Sequence, residues 1–442
     1  MNISELKGIL QNAGVVGAGG AGFPSYAKLN ENADTIILNC AECEPLLKLH
    51  RQVMQLYARE IMTALDTVCQ AVGAERAIIA IKPSYKKAVE AVKAQLENFK
   101  KITIGLLPEV YPAGDEVVTI YETTGRVVPP GKLPISVGVT VFNVETMLNA
   151  YYAVTEGKGV THKYITVTGE VKNPKTLCVP LGITVAEVIK MAGGTTISEY
   201  TIINGGPMTG NIVSENDVIT KTSNAILVMP NDQYIVLKRR SDSSISLKRA
   251  MSACCQCRMC TDLCPRNLLG HPIEPNKFMR SLSSGVTNDN TAYLGTFFCC
   301  SCGLCEMYSC FQDLSPRSLI GMMKGELRKG GIPVPEVNAT PVKEERSGRY
   351  ILKSRLTARL GLTKYNHPAL LEENSYTPGK VTLKLSQHIG APAVPSVKKG
   401  DKVKVGDVVA LPPEGALGVA LHASIDGTVK EVTDKYIVIS SK

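Results

Sequence analysis

The chain of 442 residues has no tryptophan, and aromatic residues make up only 5% of it. Aliphatic side chains must therefore fill its cores, and a hydrophobic content of 44% supplies them. No apolar run approaches the ~18 residues that a membrane-crossing helix needs, so no transmembrane span is expected. The N-terminus, MNISELKGILQNAG, lacks a basic start followed by an apolar stretch and does not read as a secretory signal. Aromatics do not alternate with basic residues, which weighs against a nucleic-acid partner. Charge of one sign is barely in excess: 49 Lys and Arg stand against 40 acids, a net charge of +9. That reads as a solvated basic surface with a modest preference for anionic cofactors or acidic partners. Cysteine, by contrast, is plentiful, with fourteen residues. Without an export signal these point to metal binding or redox chemistry rather than to a disulfide framework.

The length suggests about three domains or a few more smaller ones. Residues 1–160 alternate apolar strand-like runs, TIILN (35–39) and RAIIAIK (76–82), with helical patterns at 45–72 and 84–99. Such alternation predicts an α/β layer with a largely parallel sheet. Residues 161–243 hold short strands (ITVTGEV, TIINGG, AILVM, YIVLK) around one helical piece, TVAEVIKMAGG, an α+β module. Residues 244–330 carry cysteine clusters on short helices. Residues 331–385 are rich in Pro, charge and turn residues and read mostly as an extended linker, with LKSRLTARLGL (352–362) as a short basic helix. Residues 386–442 are short strands between Gly, Pro and Asp turns, a small β-sandwich.

The cysteines form two near-copies of one motif. The first is CxxCxxCxxxCP through Cys254, Cys257, Cys260 and Cys264, and the second is CxxCxxCxxxxC through Cys299, Cys302, Cys305 and Cys310. A 4Fe–4S cube takes three thiolates from one tight loop and a fourth from elsewhere. A zinc ribbon wants two CxxC pairs, without a third cysteine two residues after the second. Carrying over the pattern of two-cluster ferredoxins pairs Cys254, Cys257 and Cys260 with Cys310, and Cys299, Cys302 and Cys305 with Cys264. The second motif departs from that pattern, with a longer last gap and no proline, so the fourth-ligand pairing stays open. Cys255 and Cys300 adjoin the first ligand of each loop; they read first as small buried neighbours and second as alternative ligands, and Cys69 and Cys178 read as core residues.

Near the N-terminus, GVVGAGGAGFPSYAKL (14–29) offers a glycine-rich backbone that can approach a phosphate, with Pro24 where a helix would start. It lacks the GK[ST] ending of a P-loop, and no strand precedes it. NCAECEP (39–45) follows the first strand, at the carboxyl end where α/β sheets bind ligands. There Asn39, Glu42 and Glu44 have polar groups for a ring or ribose, and Cys40 with Cys43 forms a CxxC whose dithiol reading ranks below the ligand-loop reading. A third stretch, 111–146, sets Asp115, Glu116 and Asn143 among glycines.

Together these stretches resemble the flavin- and NADH-binding subunit of respiratory complex I and its relative in the Rnf electron-transport complex, RnfC. The resemblance rests on Gly17, Gly19, Gly20, Gly22, Phe23 and Pro24; on Asn39, Glu42, Cys43, Glu44 and Pro45; on Gly114 and Glu116; and on Asn143, Val144, Glu145 and Thr146. It implies that these segments hold FMN, and that Phe23, Lys28, Glu44 and Glu116 line the nicotinamide side for NADH. Ala18 stands where the complex I protein has Arg, and Ala41 replaces an Asp. ITVTGEVKNP with INGGPMTG resembles the soluble-ligand-binding β-grasp module of the same families. HIGAPAVPSVKKGDKVKVGDVVA with HASIDGTV resembles the Rnf barrel-sandwich domain, without a lysine carrier site. That domain comes first in the Rnf protein and last here. The resulting order is similar to the cobalamin reductase family of propanediol-utilising bacterial microcompartments. The architecture implied is a multidomain α/β and α+β chain with a complex I flavin-subunit-like domain, a β-grasp module, a two-cluster ferredoxin-like helical domain and a C-terminal barrel-sandwich domain.

The same resemblance implies an NADH-dependent oxidoreductase with FMN and two 4Fe–4S clusters, a corrinoid substrate, and a cytoplasmic, microcompartment setting. An adenosyltransferase and microcompartment shell proteins are the implied partners. The rival readings are an Rnf-type electron-transport subunit that passes electrons between NADH and ferredoxin, and a zinc-stabilised scaffold.

Overall fold

The computed structural model describes residues 1–284, 290–372 and 376–441. Its first unit is a four-stranded parallel sheet in the spatial order Ile102–Leu106, Arg76–Ile81, Thr35–Cys40, Val139–Asn143. The chain builds outward from Thr35–Cys40 in one direction and then returns to add Val139–Asn143 on the other side. That reversal opens a crevice beyond the carboxyl ends of those two strands, where Asn39 stands opposite Asn143. The strands other than the edge strand Ile102–Leu106 are buried almost throughout, as expected of a sheet covered on both faces. Helices Ala58–Val72 and Val144–Glu156 pack on one face through Leu65, Val68, Met147 and Leu148.

The helix expected over 45–72 is two helices, Leu49–Leu56 and Ala58–Val72, broken at Tyr57. Residues 45–48 form a turn instead, because the Glu42 carboxylate reaches forward to accept the His50 backbone N–H at 2.8 Å and caps the first of the two helices. The helix expected over 84–99 ends as an α-helix at Lys93.

The second unit is a six-stranded sheet around helix Val185–Met191, with Ala225–Pro230 running parallel to His162–Gly169. YIVLK, expected as a strand, is part of helix Tyr234–Arg240. The Gln233 side chain accepts the Ile235 N–H at its start, and three basic residues occupy its last turn. Its apolar face, Ile235 and Val236, packs against Leu263, Leu304 and Met307 of the cysteine-rich unit. Alternation cannot reveal a helix this short when its partner face lies in another domain.

Residues 331–385 do not behave as a free linker. Ile351–Leu352 pairs antiparallel with Val110–Tyr111, and Leu371–Glu372 adds a parallel strand beside Lys175–Pro180. Arg346 forms an ion pair with Glu122, with both side chains largely buried. The expected basic helix is present as Lys353–Arg359. The segment is a strap across the first two units. The C-terminal unit packs a four-stranded sheet against a three-stranded one and begins at Lys380, a few residues before the expected boundary. Its core residues Val381, Leu383 and Val409 join the same cluster as Ile36 and Leu38 of the first unit.

Candidate functional site

The glycine-rich loop folds back on itself. Gly17 donates to the Phe23 carbonyl at 2.9 Å, Val16 bridges Pro24, and a short 3-10 turn, Ser25–Lys28, follows. Gly22 has φ +76°, a left-handed conformation, and a Cβ there would lie 2.7 Å from Thr222 and 3.0 Å from His388. The loop is tied to the first turn of helix Val144–Glu156 by Thr146, whose hydroxyl accepts the Ala18 N–H at 2.9 Å and donates to the Val16 carbonyl.

Between this loop and the crevice lies a cavity of about 280 Å³. Gly17, Gly19, Gly20, Gly22, Phe23, Lys28, Asn39, Glu116, Asn143 and Thr146, all expected from the sequence, line it. A second cavity of about 210 Å³ shares Phe23, Lys28, Glu116 and Val141 with it and continues over Leu133, Pro134 and Ile135. Lys28 stands at the junction, its amine donating to Glu116 at 3.0 Å and to the Val141 carbonyl at 2.9 Å. Asn39 spends its amide on holding loops: Nδ2 donates to the Gly114 carbonyl, and Oδ1 accepts the Ala41 N–H. Asn143 caps helix Val144–Glu156 and lies 3.2 Å from His50 Nε2. Burial pushes that imidazole down to about 4, so it is neutral at physiological pH.

Five expected residues do not line the cavity: Glu42, Cys43, Glu44, Gly114 and Val144. Glu42 is buried beneath it, paired with Arg51 at 2.8 Å. Glu44 reaches away to the β-grasp module, accepting the Met208 N–H at 2.9 Å and the Thr209 hydroxyl at 2.6 Å. Gly114 is tightly packed: a Cβ there would lie 3.1 Å from Cys43 Sγ and 3.2 Å from Ala41 Cβ. Val144 is fully buried in the core beneath the loop. Burial raises the thiol of Cys40 and pushes that of Cys43 up to about 11, so neither has the thiolate a redox dithiol needs. Sequence reasoning missed Ser25, Val141 and Phe142, which also line the cavity. The signal for Ser25 was its place straight after Pro24, at the start of the turn.

The eight motif cysteines fall into two sets. A small cavity is lined by Cys254, Cys257, Cys260 and Cys310, and by Cys255 as well. Burial, with the field of Cys257, Cys310 and Cys254 added, pushes the Cys260 thiol up to about 12. Cys264 lies instead within the field of Cys300 and Cys299, and Cys305 within that of Cys299 and Cys264, with a smaller contribution from Cys260. Backbone N–H groups already point at two sulfurs: Ser301 at Cys299 (3.3 Å) and Leu314 at Cys310 (3.4 Å). Thiols crowded together in this way ionise most readily against a bound cation. Among the described residues no three His, Cys, Asp or Glu side chains converge on one metal-ion position. Cys255, expected as a buried neighbour, is exposed, and Cys300 is half-buried.

The set around Cys264 abuts the first domain. Tyr111 donates its hydroxyl to the Cys302 carbonyl at 2.6 Å. Arg266, two residues after Cys264, pairs with Asp115 at 2.8 Å, and Asp115 caps the helix that carries Glu116 at the cavity wall.

Family comparisons agree with this layout. Residues 10–152 match the Nuo51 FMN-binding domain, 164–211 the SLBB domain, 253–315 a 4Fe-4S dicluster domain and 370–442 the RnfC barrel sandwich hybrid domain. Cobalamin reductase PduS of Citrobacter freundii is 42% identical over 97% of this chain and 94% of its own. The chain belongs to the cobalamin reductase PduS family. The Salmonella typhimurium member is 40% identical over 99% of this chain and 97% of its own. A component of the Na(+)-translocating ferredoxin:NAD(+) oxidoreductase complex of Acetobacterium woodii is 32% identical over 61% of this chain and 59% of its own.

The residues of this PduS-family chain fit both groups. A Cβ on Gly20 would meet nothing within 4 Å, so the loop leaves open space at the cavity where a flavin phosphate needs close backbone approach. The Ser25 hydroxyl, buried at the same wall, has no hydrogen-bond partner among the described residues. The donor set of the dicluster region is thiol alone, the chemistry of iron–sulfur ligation. No helix among the described residues is long and apolar enough to cross a membrane.

Proposed function

We propose that this chain is an NADH-dependent flavin and iron–sulfur oxidoreductase that reduces a corrinoid, in support of adenosylcobalamin regeneration within a propanediol-utilising bacterial microcompartment. The observation that carries this reading is the joined pair of cavities at the sheet crevice, backed by the Cys264 set through Asp115 and Arg266. When bound, FMN converts a two-electron hydride donor into single electrons, and 4Fe–4S clusters carry single electrons onward.

The chain's own residues supply the setting. Gly17, Gly19, Gly20 and Gly22 give a phosphate close backbone approach, and Ser25 offers an unused hydroxyl. Phe23, Lys28 and Glu116 face both cavities and suit the nicotinamide side, whereas Glu44 serves to dock the β-grasp module. Cys254, Cys257, Cys260 and Cys310 would hold one cluster, and Cys264, Cys299, Cys302 and Cys305 the other. An adenosyltransferase that takes the reduced corrinoid and shell proteins that retain the enzyme are the proposed partners. The Rnf-type reading is weaker because the similarity to that complex's component spans only 61% of the chain and the barrel-sandwich region lies at 370–442, after the other modules.

Anaerobic assay with NADH and cob(III)alamin tests the proposal. Cys257→Ala should abolish corrinoid reduction while NADH still bleaches the flavin. Full-rate corrinoid reduction by that variant would refute the relay, and reduction of ferredoxin but not of corrinoid would favour the Rnf-type reading.

A further inference from the structure

The largest of the cavities described, about 330 Å³, lies outside the flavin and cysteine sites. Helix Leu49–Leu56, the turn at Ser84–Tyr85 that opens helix Lys86–Lys93, and Pro368–Leu370 of the strap enclose it. Four cationic side chains line it, Lys48, Arg51, Lys86 and Lys87, and no carboxylate does. Two acids adjoin its walls, and exposed Glu90 follows Lys86 by one turn on helix Lys86–Lys93. Glu42 is buried beneath and spent on Arg51 and the His50 N–H, and Glu109 accepts the Ser84 N–H at 3.1 Å. Lys86 and Lys87 are exposed, with no ion-pair partner among the described residues. Lys48 bonds only a neutral group, the Asn366 side-chain oxygen, at 2.6 Å.

More positive charge lies below. Lys82, fully buried, and Lys353, half-buried, lie within the field of Arg51, and desolvation together with these neighbours pushes Lys353 down to about 7. Burial and the Arg51 charge push Lys48 down to about 8. Like charges held this close raise the energy of the empty cavity, and a bound anion removes that cost. The backbone adds to the field, since helix Lys86–Lys93 presents its N-terminus here without a side-chain cap. One wall is apolar: Leu370 is 67% exposed and stands beside Pro368 and Ala88. The Arg51 guanidinium lies flat on the Tyr85 ring at 3.9 Å, which fixes it as a rigid floor.

We propose that this cavity binds a phosphate-bearing small molecule, its phosphate held by Lys48, Lys86 and Lys87 and its organic body lying along Pro368 and Leu370. Its volume falls at the small end of the ~300–1,000 Å³ range of ligand pockets. Lysine point charges suit a phosphate dianion that exchanges with solvent.

The test is calorimetric titration of full-length, FMN-saturated protein with inorganic pyrophosphate and with ADP. Saturable one-site binding is expected, weakened at least about tenfold by Lys86→Glu/Lys87→Glu. NADH-driven dye reduction by that variant should stay unchanged, because neither lysine touches the flavin cavity. Lys48→Met, which keeps the apolar stem, should weaken binding as well. Tighter binding of ADP than of pyrophosphate supports both halves of the proposal. Equal affinities support the phosphate seat and overturn the apolar wall. The site is overturned if neither probe binds saturably at millimolar concentration, if the lysine variants bind as the parent does, or if binding is lost in Lys28→Ala but kept in the lysine variants. Binding of a polyglutamate peptide, but of neither phosphate probe, would likewise overturn it in favour of protein docking.

Discussion

Lys163→Met should destabilise the protein in a way that depends steeply on pH. Glu145 and Lys163 form an ion pair with each side chain only 1% exposed. Glu145 stands in the first turn of helix Val144–Glu156, close after Asn143 at the flavin cavity wall, and Lys163 opens the β-grasp sheet. The pair therefore rivets two domains beneath the site. Glu145 also accepts the Tyr164 N–H at 3.0 Å, and Lys163 donates to Asn224 at 3.1 Å. Methionine keeps the stem volume but removes the cation. Burial already raises the Glu145 pKa, and without Lys163 the carboxyl escapes the cost of an unpaired charge by holding a proton. An unfolded Glu titrates near ~4.3, so retaining that proton costs about 1.4 kcal/mol for each pH unit above it. The penalty is then about 4 kcal/mol at pH 7 and about 1 kcal/mol at pH 5, the first in line with the ~3–5 kcal/mol for breaking a buried pair. The sign follows from the raised folded pKa: the folded state binds the extra proton, so the variant's stability falls as pH rises from the unfolded value toward the folded one. At roughly 1 °C per kcal/mol for a chain of this length, the melting temperature should drop by about 4 °C at pH 7 and by only about 1 °C at pH 5. Anaerobic melting curves of parent and variant at pH 5, 6, 7 and 8 measure this. A deficit that does not change with pH, or one below about 2 °C at pH 7, would refute the reasoning. Glu145→Gln/Lys163→Met should show a deficit independent of pH.

Gly20→Leu should lose FMN without unfolding, because a side chain there enters open space at the cavity and meets no protein atom within 4 Å at its Cβ. Flavin stoichiometry against an unchanged melting curve checks it. Asp115→Ala removes the cap on helix Glu116–Thr124, worth about 1 kcal/mol, and leaves the buried Arg266 unpaired beside the Cys264 set. Its iron content, and the electron paramagnetic resonance signal of one cluster but not the other, should fall. Arg346→Ala releases the strap from Glu122, so limited proteolysis within 331–350 should quicken while the flavin stays bound.

The parallel sheet was legible because its strands are unbroken apolar runs, TIILNC and RAIIAI, bounded by helical patterns. The glycine loop was legible because close backbone approach demands its composition. What misled was any segment whose partners lie far along the chain. YIVLK is a short, β-branched apolar run that reads as a strand, yet Ile235 and Val236 find their surface on Leu263 and Leu304, and the segment is a helix. The Pro- and charge-rich stretch 331–385 reads as a linker, but Ile351 and Leu371 each find a strand edge to join. Glu44 sits in a ligand-loop motif, and only the β-grasp loop folded against it shows where its carboxylate is spent.

Spacing along the chain determined which residues of this protein could act together locally: three sulfurs on one tight loop, five glycines in one turn, alternating strand and helix. Those are short-range constraints, and a sequence carries them in full. Tertiary structure alone decided which distant groups meet: Cys310 beside Cys254, Cys264 beside Cys299, Lys163 beneath Glu145, and six cations gathered around and beneath one cavity from three segments. Such meetings depend on the packing of whole domains, whose summed burial outweighs any local preference and leaves no periodic trace in the chain.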